Sequence, residues 1–245
     1  ELERWVLHRI TEIDEKVRAC IEKYDFHNMF TILHNFCSID LSSFYFDIRK
    51  DTLYCDSLVS LERRSSRTIL NELFLRLTSW LAPIICYTAE EAWLSRYAGD
   101  EESIHLQEFQ KIPPEWKDEV LAAKWVKIRE IRRVVTGALE VERAEKRIGS
   151  SLQSAPVVYL QEELCSTLEG IDLAEISITS NITVEVGDGP KGSFRLQDVA
   201  GVSVVHVDAE GEKCERCWRV FSDVGHDKRH PDLCKRCIEV IEGSA

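Results

Sequence analysis

The chain has 245 residues, of which 30% are charged, and its formal net charge is −12. This length is enough for one large domain or for two to three small ones. No apolar run approaches the roughly 20 residues that a membrane-spanning helix needs. The polar helical pattern that begins at Glu1 does not have the form of a signal peptide. The composition therefore predicts a soluble, cytoplasmic protein with no membrane partner.

The charge is distributed unevenly along the chain. A net charge of −12 alone argues against a nucleic-acid partner. Residues 156–210 hold ten acidic against two basic side chains, whereas residues 124–147 hold eight basic against four acidic ones. Residues 211–242 are balanced at seven of each. An anionic partner would therefore meet residues 124–147 and the C-terminal segment, although the basic helix also has a simpler interpretation as a solvated surface.

Residues 1–147 predict a bundle of helices, and hence a mainly α fold. Apolar side chains recur every three or four residues, as they do from Leu2 to Tyr24, which gives each helix one buried face. In the second helix we expect Phe26 and Phe30 to face inward. Pro83 cannot continue the third helix, but it suits the first turn of the fourth. The predicted helices cover about residues 1–24, 26–50, 58–81, 83–93 and 115–146, with a loop over 98–115.

Residues 148–210 predict a small α/β or α+β unit. The run Gly149-Ser150-Ser151 ends the long helix in the manner of a hinge. Segments rich in β-branched residues indicate strands, and one polar segment has helical character. We expect strands at 156–160, 174–179, 182–186 and 202–207, and a helix at 161–169. This unit is acidic and its function stays open; one role that fits is to hold the C-terminal segment at a fixed distance.

Four cysteines define the C-terminal segment, residues 211–245. They form two Cys-x-x-Cys pairs, Cys214 with Cys217 and Cys234 with Cys237, separated by sixteen residues. Two such turns facing each other place four thiolates at the corners of a tetrahedron, the geometry that Zn²⁺ prefers, and they leave no open position for a reacting water. The spacing therefore predicts one structural zinc ion, which would supply much of the folding energy of so small a module. A pair of disulfides and a redox-active cysteine pair are the alternatives.

The remaining cysteines support a reducing environment. They are scattered, most of them in apolar periodic stretches, and the total of nine is odd. We expect them to be small buried hydrophobic residues and not a disulfide framework. These residues are Cys20, Cys37, Cys55, Cys86 and Cys165.

A search for catalytic motifs is negative. The sequence has no phosphate-binding GxxxxGK[ST] loop, no GxGxxG and no HExxH. His226 and His230 lie between the two cysteine pairs and are alternative zinc ligands, but four cysteines already complete a tetrahedral site. We therefore assign no catalytic residue.

Several motifs carry a resemblance to a known family. The helical part contains Tyr24-Asp-Phe-His-Asn28 and Ser43-Phe-Tyr-Phe-Asp-Ile-Arg-Lys-Asp51, followed by Trp80-Leu-Ala-Pro-Ile84. These runs resemble the anticodon-binding helical domain of class I aminoacyl-tRNA synthetases of the isoleucine, valine and leucine group. Arg147-Ile-Gly-Ser-Ser-Leu152, Gly211-Glu-Lys-Cys-Glu-Arg-Cys-Trp218 and His230-Pro-Asp-Leu-Cys-Lys-Arg-Cys237 resemble the bacterial isoleucyl-tRNA synthetase family in particular.

The resemblance implies a C-terminal fragment of a longer enzyme. It predicts three domains: an anticodon-binding bundle over 1–147, a small linker domain over 148–210 and a four-cysteine zinc finger over 211–245. The ATP-binding HIGH and KMSKS motifs of the family do not occur in the sequence, nor does its editing domain. ATP and Mg²⁺ would therefore belong to the catalytic domain of the parent isoleucine–tRNA ligase, and this chain would be inactive alone. The expected partners are isoleucine tRNA and the catalytic and editing domains of the same polypeptide. No DNA partner is expected, and the protein would be a monomer.

The same resemblance suggests which residues contact tRNA. Lys50 matches the family's anticodon-linked lysine, although a cation at a helix C-terminus has the same appearance. Trp218, directly after the first cysteine pair, offers either a stacking face for an unpaired base or a packing contact with the zinc turn. Basic side chains are candidate phosphate contacts or solvated surface residues. The basic candidates are Arg132, Arg133, Arg216, Arg219, Lys235 and Arg236.

A second hypothesis comes from a different class of protein. The chain would then be a zinc-ribbon protein–protein interaction module fused to a helical bundle. Binding to tRNA that weakens steeply with salt and depends on the anticodon distinguishes the first hypothesis from the second.

Overall fold

The computed structural model describes residues 1–99 and 101–243. Its contacts divide the chain into two compact units. Unit 1 contains Glu1–Arg49 and Val59–Glu119, and unit 2 contains Lys50–Leu58 and Val120–Ala245. None of the helices in the described ranges combines the length and the apolar character that a membrane crossing requires. The three predicted domains divide the chain at other positions, and they stay a prediction.

Unit 1 is helical, as the periodic sequence predicts. Asp25 caps its second helix, where the side chain accepts a hydrogen bond from the amide of Asn28 at 3.1 Å. Ser60 caps the fourth in the same way, through the amide of Arg63 at 3.2 Å. Pro83 lies in the turn before the helix Cys86–Leu94 and not in the first turn of that helix. The α-helices that begin in this unit are α1 Leu2–Glu22, α2 Phe26–Asn35, α3 Asp47–Cys55, α4 Leu61–Leu81 and α5 Cys86–Leu94.

The chain between α2 and α3 is wound more loosely than an α-helix. Residues Phe36–Phe46 form a π-helix, in which each turn holds more than four residues. Phe36, Leu41 and Tyr45 are buried at spacings of five and four residues, so the wider turn brings all three to one side. The prediction that Phe26 and Phe30 of α2 face inward is wrong, since their side chains are 41% and 48% exposed.

Unit 2 is built on a three-stranded sheet packed against α6, which covers Glu119–Ala144. The sheet contains β1 (Val157–Leu160), β2 (Thr183–Val186) and β3 (Val202–Val205) in the order β2-β1-β3, with β1 parallel to β2 and antiparallel to β3. Val158 and Leu160 of β1 alternate with half-buried neighbours and enter the same apolar core as Ile131 and Val135 of α6. Two further helices of this unit are α7 Glu162–Cys165 and α8 Leu173–Ser177.

One predicted strand is wrong. The segment 174–179 lies mostly in the short helix α8, because Asp172 caps this helix by accepting hydrogen bonds from the amides of Ala174 at 2.9 Å and Glu175 at 3.1 Å. Ile178 ends it with a left-handed φ of 58°. The helix lies in the connection between the parallel strands β1 and β2, where a crossover is required.

Candidate zinc centre and RNA-binding surface

The first cysteine pair lies in a hairpin. Strands β4 (Glu212–Lys213) and β5 (Val220–Phe221) are antiparallel. The turn between them is closed by a hydrogen bond from the amide of Trp218 to the carbonyl of Cys214 at 2.8 Å. Gly211 precedes the hairpin with a φ of +115°, and a Cβ there would lie 2.3 Å from the backbone of Phe221. Only glycine fits this close approach.

The second cysteine pair opens a helix. Cys234 is the N-cap of α9 (Lys235–Glu242), and Cys237 lies in the first turn. The Asp223 side chain accepts a hydrogen bond from the amide of Lys235 at 2.9 Å, which holds the start of α9. Thiolates are favoured at this end of a helix, because the positive end of the helix dipole and unpaired amides lie there.

The two pairs bring four sulfur atoms together. The Sγ atoms of Cys214, Cys217, Cys234 and Cys237 all lie within 4.8 Å of one another, and the four residues are buried. A tetrahedron with zinc–sulfur bonds of about 2.3 Å has sulfur–sulfur edges of about 3.8 Å. The Sγ atoms of Cys217 and Cys234 are 3.8 Å apart. All nine cysteines are free, which removes the disulfide alternative. The donor set fits a structural zinc ion.

Hydrogen-bond donors surround the sulfur cluster. Four thiolates around one Zn²⁺ carry a net charge of about −2, and burying that charge requires compensation. The amide of Cys234 donates to the Sγ atom of Cys214 at 3.4 Å. The Nη1 atom of Arg216 donates to the Sγ atom of Cys237 at 3.6 Å, and the charge of the Cys217 sulfur acts on the Arg236 guanidinium and favours its charged form. Two arginines therefore face the anionic centre.

Arg236 also forms an ion pair with Asp51, in the Lys50–Leu58 part of unit 2. Its Nη1 and Nη2 atoms donate to the two carboxylate oxygens of Asp51 at 2.6 and 2.7 Å, and a carboxylate oxygen of Asp56 is 3.5 Å away. Burial raises the pKa of Asp51, but the hydrogen bond and charge of Arg236, with Arg219, outweigh it and leave that pKa below its ordinary value. This two-pronged geometry is the strong form of an arginine–carboxylate pair.

Arg216 and Arg219 bind backbone carbonyl groups. Arg216 donates to the carbonyl oxygens of Cys55 at 2.6 Å and Tyr54 at 3.3 Å, which are the last two residues of α3. Arg219 donates to the carbonyls of Thr179 at 3.0 Å and of Ser180 at 3.2 Å. Both arginines therefore satisfy acceptors within unit 2.

The two candidates on α6 also have partners. The Nε atom of Arg132 donates to the carbonyl of Ile176 at 2.7 Å. Arg133 pairs with Asp198 at 2.5 Å, with both side chains more than half exposed. For these residues, as for Arg216, Arg219 and Arg236, contact with RNA stays a prediction.

Three predicted contact residues present their side chains to solvent. Trp218 is 62% exposed and has a left-handed φ of 64°. The Lys235 side chain is 79% exposed, and Lys50 is also exposed. The Nζ atom of Lys213 lies 5.9 Å from the centroid of the Trp218 ring, on one face of the indole. Sequence reasoning missed Asp51 and Cys55, the partners of the arginines, because nothing local marks them as neighbours of a module more than 150 residues away.

Comparison with known proteins places these features in a family. The family model for the anticodon-binding domain of tRNA ligases matches residues 3–159, and the model for the zinc finger found in FPG and IleRS matches residues 211–240. The chain belongs to the family of tRNA ligase anticodon-binding domains. The second match and the cluster of four cysteines together show one structural zinc site.

Curated relatives match almost the whole chain. The chain is 53% identical over 237 residues to an isoleucine–tRNA ligase of Brucella abortus, and 55% identical over 237 residues to one of Agrobacterium fabrum. Each alignment covers 96% of this chain and 24% of the relative. A third relative, the isoleucine–tRNA ligase of Mesorhizobium japonicum, is 47% identical over 245 residues, or 98% of this chain and 25% of its own length. The chain thus spans about a quarter of the length of these relatives.

Proposed function

We propose that the chain is the tRNA-binding C-terminal part of an isoleucine–tRNA ligase and that it recognises the anticodon stem-loop of isoleucine tRNA. The observation that carries the proposal is the identity of 47–55% to three such ligases over at least 96% of the chain. An anticodon-binding match followed by a zinc-finger match, in one polypeptide, agrees with it.

In this proposal the chemistry belongs to the rest of the enzyme. The parent enzyme joins isoleucine to its tRNA with ATP and Mg²⁺, in a catalytic domain that these 245 residues do not contain. The present chain orients the tRNA and is inactive alone. It works in the cytoplasm as part of a monomeric enzyme, together with the catalytic and editing domains, and it has no DNA partner.

The exposed residues supply the chemistry that an anticodon requires. Anticodon bases are unpaired, so they can turn outward and stack on an aromatic ring, an interaction of about 1–3 kcal/mol per base. The half-open indole of Trp218 offers such a surface. Lys50 and Lys235 are exposed cations that suit phosphate groups. Arg133, more than half exposed beside Asp198, is a further candidate.

The less exposed arginines take a different part in the proposal. Arg216 and Arg236 hold the Lys50–Leu58 segment through Cys55 and Asp51. Because Lys50 directly precedes Asp51, fixing this carboxylate restricts the backbone from which Lys50 projects. Arg132 and Arg219 hold the 176–180 segment in the same manner. These four residues support tRNA binding mainly by keeping the contact residues in place.

The alternative hypothesis, a zinc-ribbon protein-interaction module, is not favoured. It explains the cysteine cluster, but it gives no reason for a match to the anticodon-binding domain of tRNA ligases over residues 3–159.

The experiment is a binding titration of the zinc-loaded chain with isoleucine tRNA and with the same tRNA carrying another anticodon. We expect the cognate tRNA to bind at least tenfold more tightly, a difference of about 1.4 kcal/mol. Trp218→Ala should weaken cognate binding, whereas Trp116→Ala, at an indole in the 113–117 turn of unit 1, is the control. Equal binding to both tRNAs, or the same loss in both variants, would overturn anticodon recognition through this surface.

A further inference from the structure

The exposed face of α3 carries a tyrosine that the proposed function has not used. Tyr54, one residue before the end of α3, is 77% exposed. Lys50 is also exposed and precedes Tyr54 by four residues, so the two side chains lie on the same face of the helix. A single exposed aromatic residue is common on protein surfaces and is not evidence of function by itself. The contacts around Tyr54 supply that evidence.

The opposite face of this part of α3 is fixed within unit 2. Asp51 accepts hydrogen bonds from Arg236 through both carboxylate oxygens, at 2.6 and 2.7 Å. The hydroxyl group of Thr52, a buried residue, donates to a carboxylate oxygen of Glu175 at 3.3 Å. These contacts set the orientation of residues 50–55, so that the face with the tyrosine is presented to solvent.

The backbone of Tyr54 is held by the turn that carries Cys214 and Cys217. The Nη2 atom of Arg216, a residue of that turn, donates to the carbonyl oxygen of Tyr54 at 3.3 Å, and its Nη1 atom donates to the carbonyl oxygen of Cys55 at 2.6 Å. The thiol of Cys55 donates in return to the carbonyl oxygen of Arg216 at 3.6 Å. The last carbonyl groups of a helix have no partner inside the helix, and Arg216 satisfies two of them here. Tyr54 therefore has an exposed ring on a fixed backbone.

A second exposed aromatic residue lies on the other side of this contact. Trp218 is 62% exposed and follows Arg216 by two residues, so the Cα atoms of the two residues are at most about 7 Å apart. The Nζ atom of Lys213 lies 5.9 Å from the centroid of the Trp218 ring. The end of α3 and the zinc turn thus present two aromatic rings. Each ring has a lysine near it, Lys50 for Tyr54 and Lys213 for Trp218.

This combination of groups fits single-stranded RNA. Every unpaired base has a flat face that can stack on an aromatic ring, and lysine side chains bind the phosphate groups between bases. Bases inside a double helix offer no such face, because they are stacked on one another, whereas the bases of a loop can turn outward. A ring on a fixed backbone also loses less conformational freedom when it binds.

We propose that Tyr54 stacks on an unpaired base of the anticodon loop and is a second aromatic contact beside Trp218. The backbone contact with Arg216 keeps Tyr54 next to the zinc turn. The inference rests on the proposed function, since it requires that the chain binds the anticodon stem-loop of isoleucine tRNA.

The first test is a titration of the zinc-loaded chain with isoleucine tRNA. We expect Tyr54→Ala to weaken binding about 5- to 150-fold, which corresponds to the 1–3 kcal/mol that one stacked base contributes. Tyr54→Phe keeps the ring and should bind within about twofold of the unmodified chain. Tyr87→Ala is the matched control, because Tyr87 is also a helical tyrosine, is 92% exposed and lies in unit 1. Unchanged binding in Tyr54→Ala, or equal losses in Tyr54→Ala and Tyr87→Ala, would overturn the proposal.

The same titration separates this inference from the proposed function. An unmodified chain that does not bind the tRNA, or that binds it equally well with another anticodon, would refute the proposed function. A chain that prefers the cognate anticodon and loses affinity in Trp218→Ala but not in Tyr54→Ala would refute only the role of Tyr54.

The second test uses the unmodified chain, so the folding of a variant cannot affect it. Isoleucine tRNA that carries 5-iodouridine at one anticodon-loop position at a time is irradiated in the complex, which joins the iodinated base to an aromatic ring stacked on it. Mass spectrometry of the peptides should find a crosslink at Tyr54 for one of the loop positions. Crosslinks at Trp218 without any at Tyr54 would overturn the proposal.

Discussion

Trp218 combines an exposed aromatic ring with a backbone conformation that suits glycine. Its φ of 64° lies in the left-handed region, which costs a residue with a side chain about 1–2 kcal/mol. The first zinc turn requires this conformation, because the amide of Trp218 closes the turn on the Cys214 carbonyl. A strained residue that persists at a surface suggests that its side chain has a function.

Replacing Trp218 by glycine and by alanine separates the two effects. Both variants lose the covered part of the indole, the 38% that remains when 62% is exposed. For a side chain of roughly 250 Å² this is about 95 Å². At about 25 cal/mol per Å² it contributes about 2 kcal/mol. Only glycine removes the left-handed strain. We therefore expect Trp218→Gly to bind zinc about fourfold more tightly than Trp218→Ala, because about 1.5 kcal/mol of relieved strain exceeds the roughly 0.7 kcal/mol that glycine costs through the unfolded chain, and folding of the module is coupled to the metal.

This order is the reverse of the usual one. At an ordinary position alanine is more stabilising than glycine by about 0.4–1 kcal/mol, through the unfolded chain. Competition with a zinc chelator measures the difference directly. In a tRNA titration the two variants should be equally weakened, by about 1–3 kcal/mol for one lost stacking contact. Alanine binding zinc as tightly as glycine would refute the strain argument, and unchanged tRNA binding in both would refute the stacking role.

Three further predictions follow from unit 2 and from the zinc site. The pKa of Asp51 is lower in the folded chain than in the unfolded one. The ion pair of Asp51 with Arg236 therefore adds to the free energy of unfolding above pH about 4, and this contribution is lost as the pH falls through the pKa that Asp51 has in the folded chain. The difference between the urea unfolding midpoints of the unmodified chain and of Asp51→Asn should therefore become smaller as the pH is lowered. A difference that does not change with pH would contradict this role of the ion pair. Zinc removal should abolish hydrogen-exchange protection in residues 211–243 and leave α1 and α4 protected; loss of protection throughout the chain would argue against an independent bundle. Lys235→Gln should reduce the slope of log affinity for tRNA against log salt concentration by about 0.7–0.9, because Lys235 is exposed. Arg236→Gln should change the free energy of unfolding more than this slope, because Arg236 is paired with Asp51. The opposite pattern would make Arg236 the phosphate contact.

The sequence predicts most of the helices and the metal site for the same reason. Periodicity in α1 and α4 and the two Cys-x-x-Cys turns are local patterns, and each is determined by geometry within a few residues. Prediction fails where a local preference is overruled by a neighbour that is distant in sequence or by a cap. The segment 174–179 has the composition of a strand, but Asp172 caps a helix there. The π-helical turn after α2 has no signal in residue composition, although its buried residues follow a spacing of four to five.

The candidate RNA-binding surface shows the same limit of prediction from local sequence. Basic residues beside a zinc turn look alike in sequence, yet Lys235 is exposed and Arg236 is held by Asp51. The side chain of arginine favours the second role, because its planar group binds a carboxylate or several carbonyls at fixed geometry, whereas lysine stays a hydrated point charge. In this module the arginines face the anionic sulfur cluster and the Lys50–Leu58 segment together. We therefore expect Arg236→Lys, which keeps the charge, to lose most of the coupling to Asp51 in a double-mutant cycle with Asp51→Asn, by about 1–2 kcal/mol. A coupling equal to that of arginine would mean that charge alone, and not geometry, holds this segment.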